Sequence, residues 1–315
     1  MTRRKLDFTD DVSPLDRNLI VAIIDVLNVQ QLRSGARISV IAGGASNANY
    51  RIDSDDGKRY VLRVARTDVE RFGIDRWRGA AAQRSVASIG LAPPLLAAAL
   101  PAGHAISPFV EGPLLDAERI REPSMLGRVA ETLRLFHNAA PVDGVFSIFD
   151  DHRRYAKTAR AEGLKLPDDF DELIGYADAV EAVFVECDIP TKLCHGDLQL
   201  PNIIIRDDHL VVLDWEYAGM GNPYFDLGSI STNAQLSYEE RRKFLEAYFG
   251  EDVGLHNDRV ELMLYMSALR EATWAVIAEP VLGLDWDYQA WAKEFYSRCR
   301  RSIATDLSGA ISRAR

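Results

Sequence analysis

The sequence predicts an α+β fold of two lobes, a small antiparallel-sheet lobe at the amino end and a mainly helical lobe after it. Three features carry that expectation. Short β-branched runs separated by glycine and Ser-Asp-Asp-Gly turns are concentrated before residue 65. Apolar residues at helical spacing dominate after residue 124, and one isolated hairpin interrupts them near residue 205. A chain of 315 residues that is 47% hydrophobic and 27% charged is long enough to give both lobes a core, and its composition excludes a disordered or fibrous chain.

Residues 16–26 place apolar side chains at helical spacing and form a helix on the outside of the first lobe. Strands follow at 37–41, 49–53 and 59–64, separated by Gly43-Gly44 and then by Ser54-Asp55-Asp56-Gly57. The first turn, GGASNANY, is a candidate phosphate loop. Gly43 and Gly44 let the backbone approach anionic oxygens, and Ser46 and Asn47 offer side-chain donors. Arg63, in YVLRV on the third strand, has the planar, permanently charged fork that suits phosphate, although Val61, Leu62 and Val64 leave open whether it faces that loop or solvent. Residues 68–89 read as a helix stopped by Gly90 and Pro93. The extended segment 107–113, SPFVEGP, then divides a lobe over 1–106 from a lobe over 114–315 and reads as a hinge.

In the second lobe, residues 124–138 carry Met125, Val129, Leu133 and Phe136 on one face with Ser124 as a cap, and His137 reads as structural. Residues 241–249, 259–277 and 286–303 are further helices.

The hairpin carries the chemistry. Residues 203–205 and 210–213 are short apolar strands joined by the polar turn Arg206-Asp207-Asp208-His209. Asn202 stands just before the first strand and Asp214 just after the second, so closing the hairpin brings both to one open end, where Mg²⁺ can take a carboxylate and an amide oxygen and keep positions for phosphate oxygens. Asp197, five residues before Asn202, is placed to accept a proton from an attacking alcohol. The pattern His-x-Asp-x-x-x-x-Asn followed by a strand-flanked Asp matches the catalytic loop and metal aspartate of kinases. ATP is then the donor, and the backbone of the hinge, around Ser107 and Phe109, is available to its adenine.

The formal charge of -10 and pI near 5.2 argue against a nucleic-acid surface and leave room for a cationic substrate. Cys187, Cys194 and Cys299 lack the spacing of a zinc site or a disulfide framework and read as reduced thiols. The amino-terminal MTRRKLDFTDD lacks the apolar core of a signal peptide, and no run approaches a membrane span. A cytoplasmic enzyme with no membrane, nucleic-acid or protein partner is expected.

The segments GGASN, YVLRV, SPFVEG, HGDLQLPN, LDWEYAG and GNPYFDLGS, in this order, resemble the aminoglycoside phosphotransferase and choline kinase superfamily, and Trp215-Glu216-Tyr217 is similar to its choline/ethanolamine kinase-like branch. The resemblance implies a protein-kinase-like two-lobed fold with ATP and an alcohol bound between the lobes. It implies Asp197 as catalytic base, Asn202 and Asp214 as Mg²⁺ ligands, and Arg63 at the ATP phosphates. Asp226 buttresses the catalytic loop together with His195, and Gln199 faces the substrate. The implied acceptor is a small cationic alcohol, choline or ethanolamine, followed by thiamine or an aminoglycoside. Aromatic faces and a carboxylate attract such a cation, and Tyr217, Trp274, Trp286, Tyr288 and Glu216 are the candidates.

Two positions depart from the family's pattern. Gly79 stands where a helix glutamate should pair with Arg63, with Glu70 and Asp75 as candidate substitutes, and Asn233 stands where an acidic substrate contact is expected. Gly79 therefore keeps a second reading in play, a nucleotide-binding regulatory protein with degraded kinase activity.

Overall fold

A computed structural model describes residues 6–29, 32, 35–44, 47–67, 69–122, 124–187, 189–250 and 253–315. The first lobe runs β1 (Leu6–Phe8), α1 (Pro14–Leu27), β2 (Ala36–Ile41), β3 (Asn47–Ser54), β4 (Arg59–Ala65), α2 (Arg76–Ala87), β5 (Ala97–Ala99) and β6 (His104–Pro108). Its six strands form one sheet in the order β1-β2-β3-β4-β6-β5. Four pairings are antiparallel, as expected, while β1 runs parallel to β2 because α1 serves as the crossover between them.

Helix α1 begins at Ser13, whose side chain accepts from the Asp16 amide, and Pro14 follows at the first helical position. It lays Ile20, Ile23, Ile24 and Leu27 on the sheet, against Ile38, Tyr50, Ile52, Leu62 and Val64. Strand alternation then settles the side of Arg63. Tyr60, Leu62 and Val64 are buried under α1, so Arg63 projects from the opposite face, toward the second lobe.

The single helix expected over 68–89 is divided. A turn of 3-10 helix at Glu70–Phe72 ends in Gly73 at φ 82°, and α2 starts afresh from Asp75, whose carboxylate accepts from the Trp77 and Arg78 amides. Asp68 lies outside the described residues.

The second lobe contains α3 (Met125–His137), α4 (Ile148–Ala161), α5 (Phe170–Glu186), β7 (Lys192–Cys194), β8 (Ile203–Ile205), β9 (Leu210–Val212), β10 (Gly219–Gly221), α6 (Pro223–Asn233), α7 (Tyr238–Phe249), α8 (Gly254–Leu282), α9 (Tyr288–Thr305) and α10 (Leu307–Arg313). The expected hairpin is β8–β9, with Ile203 opposite Val212 and Ile205 opposite Leu210. Ser124 makes no side-chain capping bond to α3, whereas Ser237 and Glu240 form a reciprocal capping box on α7. Helix α8 buries Leu262, Met263, Tyr265, Met266, Leu269 and Ala272 around its circumference, so it forms the centre of the lobe and α6, α4 and α9 pack around it. Among the described residues no helix is long and apolar enough to cross a membrane.

Candidate active site

The loop after β7 is held from beneath by Asp226, in the first turn of α6. Its carboxylate accepts from the His195 amide at 2.7 Å, the Gly196 amide at 2.9 Å and His137 Nε2 at 3.1 Å. Burial acts to raise the Asp226 carboxyl, but the His137 hydrogen bond and the neighbouring imidazoles outweigh it and hold the group below the usual range. Gly196 sits at φ 77°, and a Cβ there would meet Phe146 and the Tyr217 carbonyl at 3.0 Å, so the turn into Asp197 has no room for a side chain.

His195 links this loop to the hairpin. Its Nδ1 accepts from the Asp197 amide at 3.2 Å, which leaves Nε2 to carry the proton and donate to the Leu213 carbonyl at 2.8 Å. The Leu213 amide donates in turn to the Asn202 carbonyl at 2.7 Å. Trp215, buried with its indole N–H on the Val212 carbonyl, anchors the other side of Asp214. Asp197, Asn202 and Asp214 are thus gathered by the two bonds of the His195 ring and by the backbone bond from Leu213 to Asn202.

Asp214 adopts φ 62°, a left-handed conformation that a non-glycine residue holds only where its surroundings enforce it. Its Oδ1 is buried without a hydrogen-bond partner among the described residues, and Arg63 Nη1 stands 4.0 Å away. Burial, reinforced by the charge of Glu216, pushes the Asp214 carboxyl up, while Arg63 pulls the other way. An orphaned carboxylate oxygen held beside further carboxylates suits a hard divalent cation. Asn202 points Nδ2 at the Asp197 carbonyl, 3.5 Å away, which leaves its Oδ1 as a second oxygen ligand. These residues fit Mg²⁺.

On the side of the first lobe, Gly43 and Gly44 take φ 97° and 94°, and a Cβ on Gly44 would lie 2.8 Å from the Asn47 carbonyl. Ser46 lies outside the described residues. Asn47 does not present a free donor to a phosphate. Its Nδ2 donates to Glu216 at 2.9 Å and its Oδ1 accepts from Arg76 Nη1 at 3.2 Å, because its side chain turns inward at only 3% exposure. Glu216 is likewise turned away from any ammonium, as Arg76 Nη1 donates to it at 2.7 Å within the same buried cluster. In the hinge, the Phe109 amide is spent on the Arg59 carbonyl at 2.9 Å and so is not open to adenine, while Ser107 lies on β6 opposite Val61.

Neither candidate substitute for the missing helix glutamate meets Arg63. Asp75 caps α2 and Glu70 is exposed. Gly79 has a packing reason instead: a Cβ there would fall 2.8 Å from the Trp215 carbonyl and 3.0 Å from the Glu216 Cα. The helix and the loop after Asp214 touch backbone to backbone.

On the acceptor side, Gln199 Nε2 donates to Glu271 Oε1 at 3.2 Å. Burial, and then the charge of Asp197, raises the Glu271 carboxyl. Tyr217 is buried with the Arg270 guanidinium 4.4 Å from its ring centroid, so its face is already covered by a cation of the protein. Trp274, Trp286 and Tyr288 form a separate cluster, with centroids 6.0 Å apart for the two indoles and 4.7 Å apart for Trp286 and Tyr288. Trp274 and Trp286 line a cleft of about 470 Å³ that Gly43, Gly44 and Asp285 also border. Asn233 donates to the Leu198 carbonyl at 3.2 Å and thus supports the loop next to Asp197.

Sequence reasoning missed Arg76, Arg270 and Glu271. A signal for the last two was present: they form a charged pair inside SALREATWAV, an otherwise apolar stretch of a helix, where a charge needs buried partners.

Comparisons with known proteins agree with this architecture. Protein LicA of Haemophilus influenzae is 30% identical over 229 residues, which span 70% of this chain and 65% of LicA, so the match leaves about a third of that relative uncovered. The structure superposes on a choline/ethanolamine kinase family protein from Mesorhizobium loti with TM-score 0.76 at 24% identity, covering 88% of this chain and 92% of that one. Choline kinase LicA from Streptococcus pneumoniae follows with TM-score 0.74 at 19% identity, covering 93% and 100%. The two superpositions establish a kinase-like, two-lobed α+β fold. Residues 37–263 match the family described as phosphotransferase enzyme, APH, and with most of its length inside that match the chain belongs to this family.

Proposed function

We propose that this protein transfers the γ-phosphoryl group of ATP to the hydroxyl of a small cationic alcohol, with choline and ethanolamine as the leading acceptors. The observation that carries the reading is the buried Asp214 oxygen that accepts no hydrogen bond among the described residues and has only the Arg63 cation at 4.0 Å, gathered next to Asn202 and Asp197 by the bonds from His195 to Leu213 and from Leu213 to Asn202. Asn202 and Asp214 would hold Mg²⁺, which when bound offsets charge on the β- and γ-phosphates. Arg63, projecting into the same space, supplies a cation for phosphate oxygens, and the positive-φ turn at Gly43 and Gly44 gives the backbone a close approach to them. Asp197 receives the hydroxyl proton as the new oxygen–phosphorus bond forms and the bridge to ADP breaks. Residues 1–106 then serve as the nucleotide lobe, 107–113 as the hinge and 114–315 as the acceptor lobe.

The names of the relatives favour choline or ethanolamine, and so does the cleft bordered by Trp274, Trp286 and Asp285, which pairs aromatic faces with a carboxylate. Gln199, fixed by Glu271, is left with its carbonyl oxygen to orient an acceptor. Mg²⁺-dependent ATP consumption with choline, ethanolamine, thiamine and an aminoglycoside is the direct test. The expected result is phosphorylated choline or ethanolamine, with most turnover but not all of it lost in Asp197→Ala while nucleotide still binds. ATP binding with no product from any acceptor would overturn the reading in favour of a regulatory protein.

A further inference from the structure

Arg270 lies at the middle of α8, 3% exposed, with three carboxylates around it. Its Nη1 is 3.0 Å from Asp197 Oδ1 and 3.5 Å from Glu271 Oε1, and its Nε is 3.9 Å from Asp151 Oδ2. The guanidinium plane also covers Tyr217. A buried cation on a core helix is retained only where such partners offset its desolvation. Although burial alone would lower its pKa, the groups around it, Tyr155 and Asp197 foremost, hold Arg270 well above the ordinary range and keep it charged.

The bond to Asp197 is one-sided. Arg270 takes Oδ1, and no hydrogen bond from a described residue engages Oδ2, while the Asp197 side chain keeps 23% of its surface open. We propose that Arg270 is a positioning residue for phosphoryl transfer: by binding Oδ1 and bracing on Tyr217 it fixes the carboxylate plane and reserves Oδ2 for the acceptor hydroxyl. The inference rests on the reading of Asp197 as the base. A lysine cannot do the same, because a point charge on a flexible stem neither stacks on the tyrosine nor spans Asp197, Glu271 and Asp151 together. A carboxylate free to rotate loses the near-attack geometry, and misplacement by about 1 Å is enough for a loss on the order of 100-fold.

The experiment compares wild type, Arg270→Lys, Arg270→Ala, Asp197→Ala and the Arg270→Ala/Asp197→Ala double variant, each first checked for a cooperative melt. Arg270→Lys, the variant best able to fold, is expected to lose at least about 10-fold in kcat while KM for ATP moves less than about 3-fold, since Arg270 packs against Asp197, Glu271, Asp151 and Tyr217 and not against Arg63 or the Gly43-Gly44 turn. Guanidinium ion at non-denaturing millimolar concentration is expected to restore turnover to Arg270→Ala, whereas sodium chloride at the same concentration does not. In the Asp197→Ala background the second substitution should add no further loss. Wild-type kcat in Arg270→Lys, or an equal further loss on top of Asp197→Ala, overturns the positioning role. Full activity of Asp197→Ala alone would instead overturn the reading of the base, so the two failures are distinguishable.

Discussion

Arg76 and Glu216 lie 2.7 Å apart with side chains 7% and 4% exposed, and they join the first turn of α2 to the loop that follows Asp214. Asn47, at the end of the candidate phosphate loop, bonds to both. The polarity is the reverse of the pair expected from resemblance: the helix supplies the cation and the second lobe the carboxylate. The cluster ties the turn after Gly43-Gly44, α2 and the loop that follows Asp214 into one unit.

Breaking a buried pair strands a charge. Arg76→Met and Glu216→Leu should therefore each destabilise the protein by about 3 kcal/mol in denaturant unfolding, and the double variant Arg76→Met/Glu216→Leu should lose less than the sum. Each single variant should also raise KM for ATP. A double variant that loses the full sum would mean that the two residues act independently.

Restoring a glutamate at position 79 should harm the protein. Helix propensity alone predicts that Gly79→Ala gains about 1 kcal/mol. The Cβ would press on the Trp215 carbonyl at 2.8 Å, and overpacking of that kind costs about 1–3 kcal/mol. Gly79→Ala should come out neutral to destabilised, and Gly79→Glu clearly destabilised with lower turnover. A higher Tm and faster turnover in Gly79→Glu would contradict the packing argument.

Asp214, as the proposed Mg²⁺ ligand, trades stability for metal binding. The Asp214 carboxyl is pushed up by burial around its Oδ1 and by Glu216, but the side chain is 36% exposed and water screens the effect, so Asp214→Asn should stabilise the ligand-free protein by no more than ~1 kcal/mol at pH 7. Adding Mg²⁺ with a non-hydrolysable ATP analogue should raise the Tm of the wild type and leave that of Asp214→Asn unchanged. The contrast is read by thermal melts with and without the metal.

His152 sets an acid limit. It is 3% exposed, neither ring nitrogen has a partner among the described residues, and burial lowers its pKa to about 4. The unfolded chain takes up this proton near pH 6.5 and the folded chain only near 4, so stability is undiminished above pH 6.5 and falls between 6.5 and 4, by up to ~3 kcal/mol. His152→Leu should flatten that slope, which denaturant unfolding at pH 7 and pH 4.5 would measure.

The sequence by itself determined the hairpin and the place of its polar residues. Asn202 and Asp214 are brought together by one short antiparallel turn, and the strand alternation and turn residues that form it are local signals, while Asp197 joins them through the His195 ring and the Asp226 carboxylate. The sheet strands and the main helical stripes were legible for the same reason. Only the tertiary structure decided what surrounds those residues. Arg270 meets Asp197 across 73 positions, Glu271 meets Gln199 across 72 and Arg76 meets Glu216 across 140. That decision withdrew Glu216, Tyr217 and Asn47 from the open surface, gave Gly79 a packing role and placed Arg270 against Asp197. A charge pattern does not reveal whether a carboxylate is free or already held. Its partner is chosen by which helix faces pack together, and that is settled by burial of apolar surface throughout the lobe rather than by the residues beside it in the chain.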